Sequence, residues 1–160
     1  LHMKEFATAK MDSWTKTITI TVATLFVIIG AIAYFQNILL LRVLSVMGIV
    51  IFVISYLSIP KIEVNEAYLS IKNAYRHDKI SFSDIKSVEL QTQKKINIRI
   101  FGIGGIFGHF GYFNAGEIWN VTHIHKKIRI KTRKKTFVIS PENTKEFLLN
   151  LQQPLLLSKQ

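Results

Sequence analysis

Lys126-Lys127-Ile128-Arg129-Ile130-Lys131-Thr132-Arg133-Lys134-Lys135 holds seven basic residues in ten. On a strand, Lys127, Arg129, Lys131 and Arg133 point to one face while Ile128, Ile130 and Thr132 point to the other. A cationic stripe backed by apolar side chains suits an anionic partner, and Lys134 and Lys135 extend it into a turn of like charge. Phosphate on a lipid headgroup is the leading partner, with nucleic acid disfavoured. The plain alternative is a solvated strand whose lysines discourage edge pairing.

Other residues offer chemistry with less support around them. His123 and His125 lie two apart, so on a strand they share a face, as metal ligands do. No cysteine exists in the chain and no acidic residue is matched to them, so metal binding is not expected. Asp84 follows Ser83 and reads as a turn residue bonding backbone amides. The serines form no nucleophile elbow or triad. Neither a catalytic residue nor a cofactor site is expected, and the protein does not read as an enzyme.

Phe101–Asn114 carries five glycines and five aromatic residues. Its spacing misses GxGxxG, because Phe107 stands where the third glycine belongs, and no helix follows to present amides to a phosphate. Phe107, Phe110, Tyr112 and Phe113 are too apolar for an ordinary solvated loop. The segment is expected to fold back over its own domain, to enter the membrane interface, or to bury itself against another subunit.

The elements that position these residues begin with two uncharged stretches, Ile18–Phe35 and Val43–Ile59. As helices at 1.5 Å per residue they measure about 27 and 26 Å, close to the hydrocarbon thickness of a bilayer. A signal peptide would have a shorter apolar core and end at small residues, whereas the first stretch ends at Tyr34-Phe35-Gln36-Asn37. A soluble buried hairpin would need more partner surface than the remaining hundred or so residues supply. The pair therefore reads as a transmembrane hairpin, with Trp14, Tyr34 and Tyr56 at interfacial depths. Arg42 lies one turn inside the second helix and is expected to snorkel outward. Gly30 and Gly48 belong to no GxxxG pattern and read as simple tolerance of glycine in lipid. Lys4, Lys10 and Lys16 precede the first span and Lys61 follows the second, so both termini are expected on the cytoplasmic side.

After Pro60 the apolar period switches to alternation, the signature of antiparallel strands. Strands are expected near Ile62–Asn65, Tyr68–Asn73, Lys79–Phe82, Lys86–Gln91, Ile96–Phe101, Ile118–His125, Lys127–Arg133 and Thr136–Ser140. Ser140-Pro141-Glu142 carries cap, first-turn proline and acidic residue in order, which predicts a helix from Pro141 to about Gln152. Phe147, Leu148 and Leu151 share its apolar face, and Pro154 is expected to end it before the Leu155–Leu157 tail. The parts are thus an N-terminal segment (1–15), the hairpin (16–60), a mainly-β domain (61–153) and a C-terminal tail (154–160). With 21 Lys and Arg against 10 Asp and Glu, the net charge of +11 again points to anionic partners.

Strands followed by one terminal helix is the order of a pleckstrin-homology-like (PH-like) split barrel with a capping helix. The run Ile80-Ser81-Phe82-Ser83-Asp84-Ile85-Lys86-Ser87-Val88 resembles the strand–turn–strand signature of bacterial PH domains. Phe101–Gly108 and Val138-Ile139-Ser140-Pro141 resemble further landmarks of that family. The resemblance implies a small non-catalytic barrel held at the inner face of a bacterial cytoplasmic membrane. The family often has no assigned ligand; the basic strand makes anionic lipid headgroups the expected partner, the alternative being a second copy of the chain or another membrane protein, with the basic charge incidental.

Overall fold

The computed structural model describes residues 4–91, 98–114 and 116–157. Strand β1 (Lys4–Phe6) precedes two long helices, α1 (Ser13–Phe35) and α2 (Leu39–Leu57). Then follow β2 (Lys61–Val64), β3 (Tyr68–Lys72), β4 (His77–Ser81), a 3-10 turn at Phe82–Asp84, and β5 (Ile85–Gln91). The chain continues through β6 (Arg99–Gly104), β7 (His109–Phe113), β8 (Glu117–Val121), β9 (Lys127–Thr132) and β10 (Thr136–Ile139) to α3 (Thr144–Leu157). Ile96 and Asn97 of one expected strand lie outside the described residues.

Both helices are long and apolar enough to cross a membrane, and only 11% and 17% of their most apolar windows are buried. A core helix of a soluble protein would be mostly covered; these present bare Leu, Ile and Val outward. What they bury is small or hydroxylated: Thr15, Thr19 and Ala33 from α1, and Ser45, Gly48 and Ser55 from α2. The Thr19, Ser45 and Ser55 hydroxyls donate to the carbonyl four residues back at 2.7–2.8 Å, so they are satisfied without water. Arg42 donates to the Asn37 side chain at 2.6 Å and to the Ala33 carbonyl at 3.3 Å, placing its charge at the C-terminal end of α1.

Two sheets enclose the core of the domain, a four-stranded one in the order β1-β2-β3-β4 and a six-stranded one in the order β5-β9-β10-β8-β7-β6. All neighbours are antiparallel except β10 and β8. Ile62, Leu69, Ile71 and Ile80 from the first sheet meet Ile118, Ile128, Ile130, Phe137 and Ile139 from the second. Phe147 and Leu151 of α3 cap this core, with the Phe147 ring edge-on to Phe6 at 5.2 Å. This is the two-sheet PH-like architecture with a C-terminal helix that the resemblance implies.

Four details depart from expectation. Residues Lys4–Phe6 form a strand, β1, where none was expected, and it pairs with β2, Lys4 opposite Val64 and Phe6 opposite Ile62. The Gly/aromatic segment is a strand pair, β6–β7, whose period is hidden because Gly102 faces Gly111. Both have φ of +125°, and a Cβ on either would stand 2.1–2.3 Å from a carbonyl oxygen of the other strand. Third, α3 is capped by Asn143, whose Oδ1 accepts the Glu146 N–H, while Ser140 is used elsewhere. Finally, α3 continues past Pro154 to Leu157, the packing of Leu155 against the core offsetting the ladder bond that a proline removes.

The strands give the domain two ends. Phe6–Asp12, Ser58–Lys61, the β3–β4 turn, the β6–β7 tip, Thr122–Lys126 and Ser140-Pro141 gather at the end that carries α1 and α2. The turns Asn65–Tyr68, Phe82–Asp84 and Arg133–Lys135 lie at the opposite end, one strand length away.

The hairpin packing gives a direct test. A Cβ on Gly48 would fall 2.2 Å from the Phe26 ring, whereas one on Gly30 would meet Ser45 Oγ at an ordinary 3.7 Å. Gly48→Ala is expected to destabilise the protein by about 1–3 kcal/mol. Gly30→Ala is expected to be near neutral, both read by thermal unfolding in detergent.

Candidate functional site

Hydrogen bonds between residues far apart in sequence gather at the junction between helices and domain. Asp12 caps α1, its Oδ1 accepting the Thr15 N–H at 2.8 Å, while its Oδ2 accepts the Ile124 N–H at 2.9 Å. One carboxylate thus holds the first turn of α1 to the β8–β9 turn. Beside it, the Thr122 hydroxyl donates to the Ala9 carbonyl at 2.5 Å, and Ser140 Oγ accepts the Thr122 N–H at 2.8 Å. The Ala9 N–H returns a bond to the Ser140 carbonyl at 2.8 Å. On the other flank, the Thr8 hydroxyl donates to the Pro60 carbonyl at 2.5 Å, and the Ala74 N–H to the Leu57 carbonyl at 3.2 Å.

The β6–β7 tip supplies a further fastening. Phe107 sits at φ +57° with its N–H on the Thr19 hydroxyl at 2.9 Å. Its ring meets Phe52 at 4.7 Å and Tyr56 at 5.5 Å between centroids, edge-on to both. The other three aromatics do different work. Phe110 and Phe113 are buried in the domain, Phe113 stacked on Trp119 at 4.7 Å. Tyr112 is exposed, with its hydroxyl accepting from Arg76 at 3.4 Å.

The basic stripe divides. Ile128 and Ile130 do enter the core, so Lys127, Arg129 and Lys131 occupy the outer face of the second sheet. Lys127 is only 3% exposed, because its ammonium lies over the Trp119 ring at 4.7 Å. Burial lowers its pKa, with Glu117 opposing and Arg129 adding to the fall. Arg129 is in an ion pair with Glu117, whose other oxygen accepts the Trp119 indole N–H at 2.9 Å. Lys131, Arg133, Lys134 and Lys135 stay exposed. The last three form the turn at the end away from the helices, about 20 Å from Lys127 at 3.3 Å per residue.

His123 and His125 fall in a turn and not on a strand; the His125 N–H lies 3.3 Å from His123 Nδ1, which removes the shared face. Among the described residues no group of three or more metal-ligating side chains occurs. Asp84 is exposed and lies 3.9 Å from Arg133. Sequence reasoning missed Asp12, although an Asp-Ser pair immediately before a helical apolar run is a cap signal. Nothing local announces Thr122 or Ser140, whose partners lie far away in sequence.

A profile of the bacterial PH domain matches residues 60–155, more than half of the sequence. The chain belongs to the bacterial PH domain family. No curated protein and no solved structure matches it. PH domains are generally non-catalytic and commonly bind lipids or proteins. In this bacterial PH domain the matched region starts at Pro60, so the strand that completes its first sheet, β1, comes from the other side of the helical hairpin.

Asp12 gives a pH test. Burial pushes its carboxyl up, but the Ile124 and Thr15 amides, helped by His123, outweigh burial and leave the pKa below its ordinary value. A depressed folded-state pKa stabilises above the unfolded carboxylate range, about pH 4, and that stabilisation is lost as pH falls through the folded value. Asp12→Ala is expected to cost about 1–2 kcal/mol at neutral pH, with a difference from the parent that shrinks at acid pH in denaturation curves.

Proposed function

We propose that this protein is a membrane-anchored, non-enzymatic PH-like binding or scaffold module at the cytoplasmic face of a bacterial inner membrane. In this reading α1 and α2 are the anchor, and the end of the domain that carries them rests on anionic lipid headgroups. The supporting observation is the set of fastenings around Asp12, Phe107 and Pro60, which hold the domain on the helices in one orientation. Lys10, Lys16, Lys61, Lys72 and Lys126 are exposed around that end, with Trp14 and Tyr75 exposed among them. At about 1 kcal/mol for each lysine near an anionic surface, a few such contacts give about 3–5 kcal/mol. A domain already held in place does not lose orientational freedom to make them.

This moves the lipid contact away from the basic strand. Lys127 is occupied by Trp119 and Arg129 by Glu117, while Arg133, Lys134 and Lys135 stand at the end away from the helices. Cytoplasmic placement rests on the lysines flanking the helices and on Arg42 as the sole basic residue near the connecting turn. The second reading, docking of a protein partner, is favoured by that outward-facing basic turn.

Full-length protein reconstituted with a photoactivatable phosphatidylglycerol tests the assignment. Adducts are expected on peptides containing Lys61, Lys72 and Lys126, falling several-fold in the triple Lys→Glu variant and in high salt. Adducts concentrated on Arg133–Lys135 would contradict it.

A further inference from the structure

The first sheet ends in an open edge at β4. The Asn73 N–H bonds the Arg76 carbonyl at 2.8 Å and the Phe82 N–H bonds the Ala67 carbonyl at 3.4 Å. By the alternation of an antiparallel pair, the main-chain groups of Asp78 and Ile80 face β3, and those of His77, Lys79 and Ser81 face outward. Among the described residues none pairs with that outward set.

Beside this edge the two sheets part. A cleft of about 480 Å³ opens at the end away from the helices, lined by Lys79, Ile80, Phe137 and the Arg133–Lys135 turn. Lys79, Lys134 and Lys135 have no carboxylate partner among the described residues. The two acids in the cleft are engaged, Asp78 by Arg76 at 2.5 Å and Asp84 by Arg133 at 3.9 Å. Lys79 lies over the Tyr68 ring at 5.3 Å and keeps its charge free of a carboxylate. Unused donors and acceptors along a strand edge, next to cations without carboxylate partners over an apolar floor, are the complement of an extended, acidic chain.

We propose that β4 accepts an extended acidic segment of a protein in the aqueous phase, added as a fifth strand to the first sheet. Its backbone pairs with His77, Lys79 and Ser81, and its carboxylates meet Lys79, Lys134 and Lys135. Nucleic acid fits this cleft less well: a strand edge pairs with a peptide backbone and not with a sugar–phosphate chain, and the buried Phe137 offers no face for base stacking. The cationic part of the site, at Arg133–Lys135, lies at the end away from the lipid contact, and β4 runs from there to His77, opposite Lys72.

The probe is a fluorescein-labelled ten-residue peptide of alternating Glu and Val, titrated against full-length protein in neutral-lipid nanodiscs and followed by anisotropy. Two variants separate backbone pairing from charge. Ser81 has φ −63° and ψ 141°, and its N–H is unused by β3, so Ser81→Pro fits the strand end while blocking the edge. Lys134→Glu/Lys135→Glu leaves the edge intact and reverses the charge. Saturable binding weakened about tenfold by each variant is expected, about 1.4 kcal/mol apiece. Three results would overturn the proposal: no binding of the peptide, binding unaffected by Ser81→Pro, or tighter binding of a ten-residue oligothymidylate that the charge reversal abolishes.

Discussion

Pairing of Lys4–Phe6 with Ile62–Val64 puts chain from both sides of the helical hairpin into one sheet. Strands in one sheet lie about 4.8 Å apart, so the start of α1 and the end of α2 cannot be separated by a bilayer. The hairpin therefore leaves and re-enters the domain at one end, whichever compartment that end faces. Closing so long an excursion costs little additional entropy, because the helices pack on each other and hold their own ends together. Ala9, Asp12, Pro60 and the β6–β7 tip then have partners within reach, and each bond they make is unavailable to a domain on a loose tether.

The same constraint sorts the basic residues. With a net charge of +11 the chain has cations on several faces, and composition does not say which are usable. Fixing the domain on the helices directs Lys61, Lys72 and Lys126 toward the helix end and Arg133–Lys135 away from it. Lys127 and Arg129 drop out because Trp119 and Glu117 take them up on the outer face of the second sheet. One dense run of charge in the sequence thus becomes a buried Lys127 and a partly buried Arg129–Glu117 pair at one end and an open cationic turn at the other.

Much of this was legible in the sequence where a pattern is long and local. Uncharged runs marked both helices, and alternation marked β2, β3, β5, β9 and β10 to within a few residues. The Ser-Asp-Ile turn and its neighbours carried the family resemblance. What stayed hidden depends on distant partners. Lys4–Phe6 is three residues with no period, and becomes a strand because β2 offers it an edge and Phe147 a ring. The β6–β7 pair is masked by glycines needed for close approach of the two strands. Alternation correctly put Lys127 and Arg129 on one face, but could not say that Trp119 and Glu117 would meet them there.

A single cross-link tests whether the sheet is completed across the hairpin. The chain has no cysteine, so Glu5→Cys/Glu63→Cys introduces the only pair, at positions directly opposite in β1 and β2. Mild oxidation of the full-length protein in membranes, followed by intact mass measurement, reads the loss of two hydrogens within one chain. Near-complete intrachain disulfide formation, with Lys10→Cys/Glu63→Cys remaining largely reduced, is the outcome predicted by β1–β2 pairing. Equal, slow oxidation of both pairs would mean that the N-terminal segment is free of the domain, and would contradict the account.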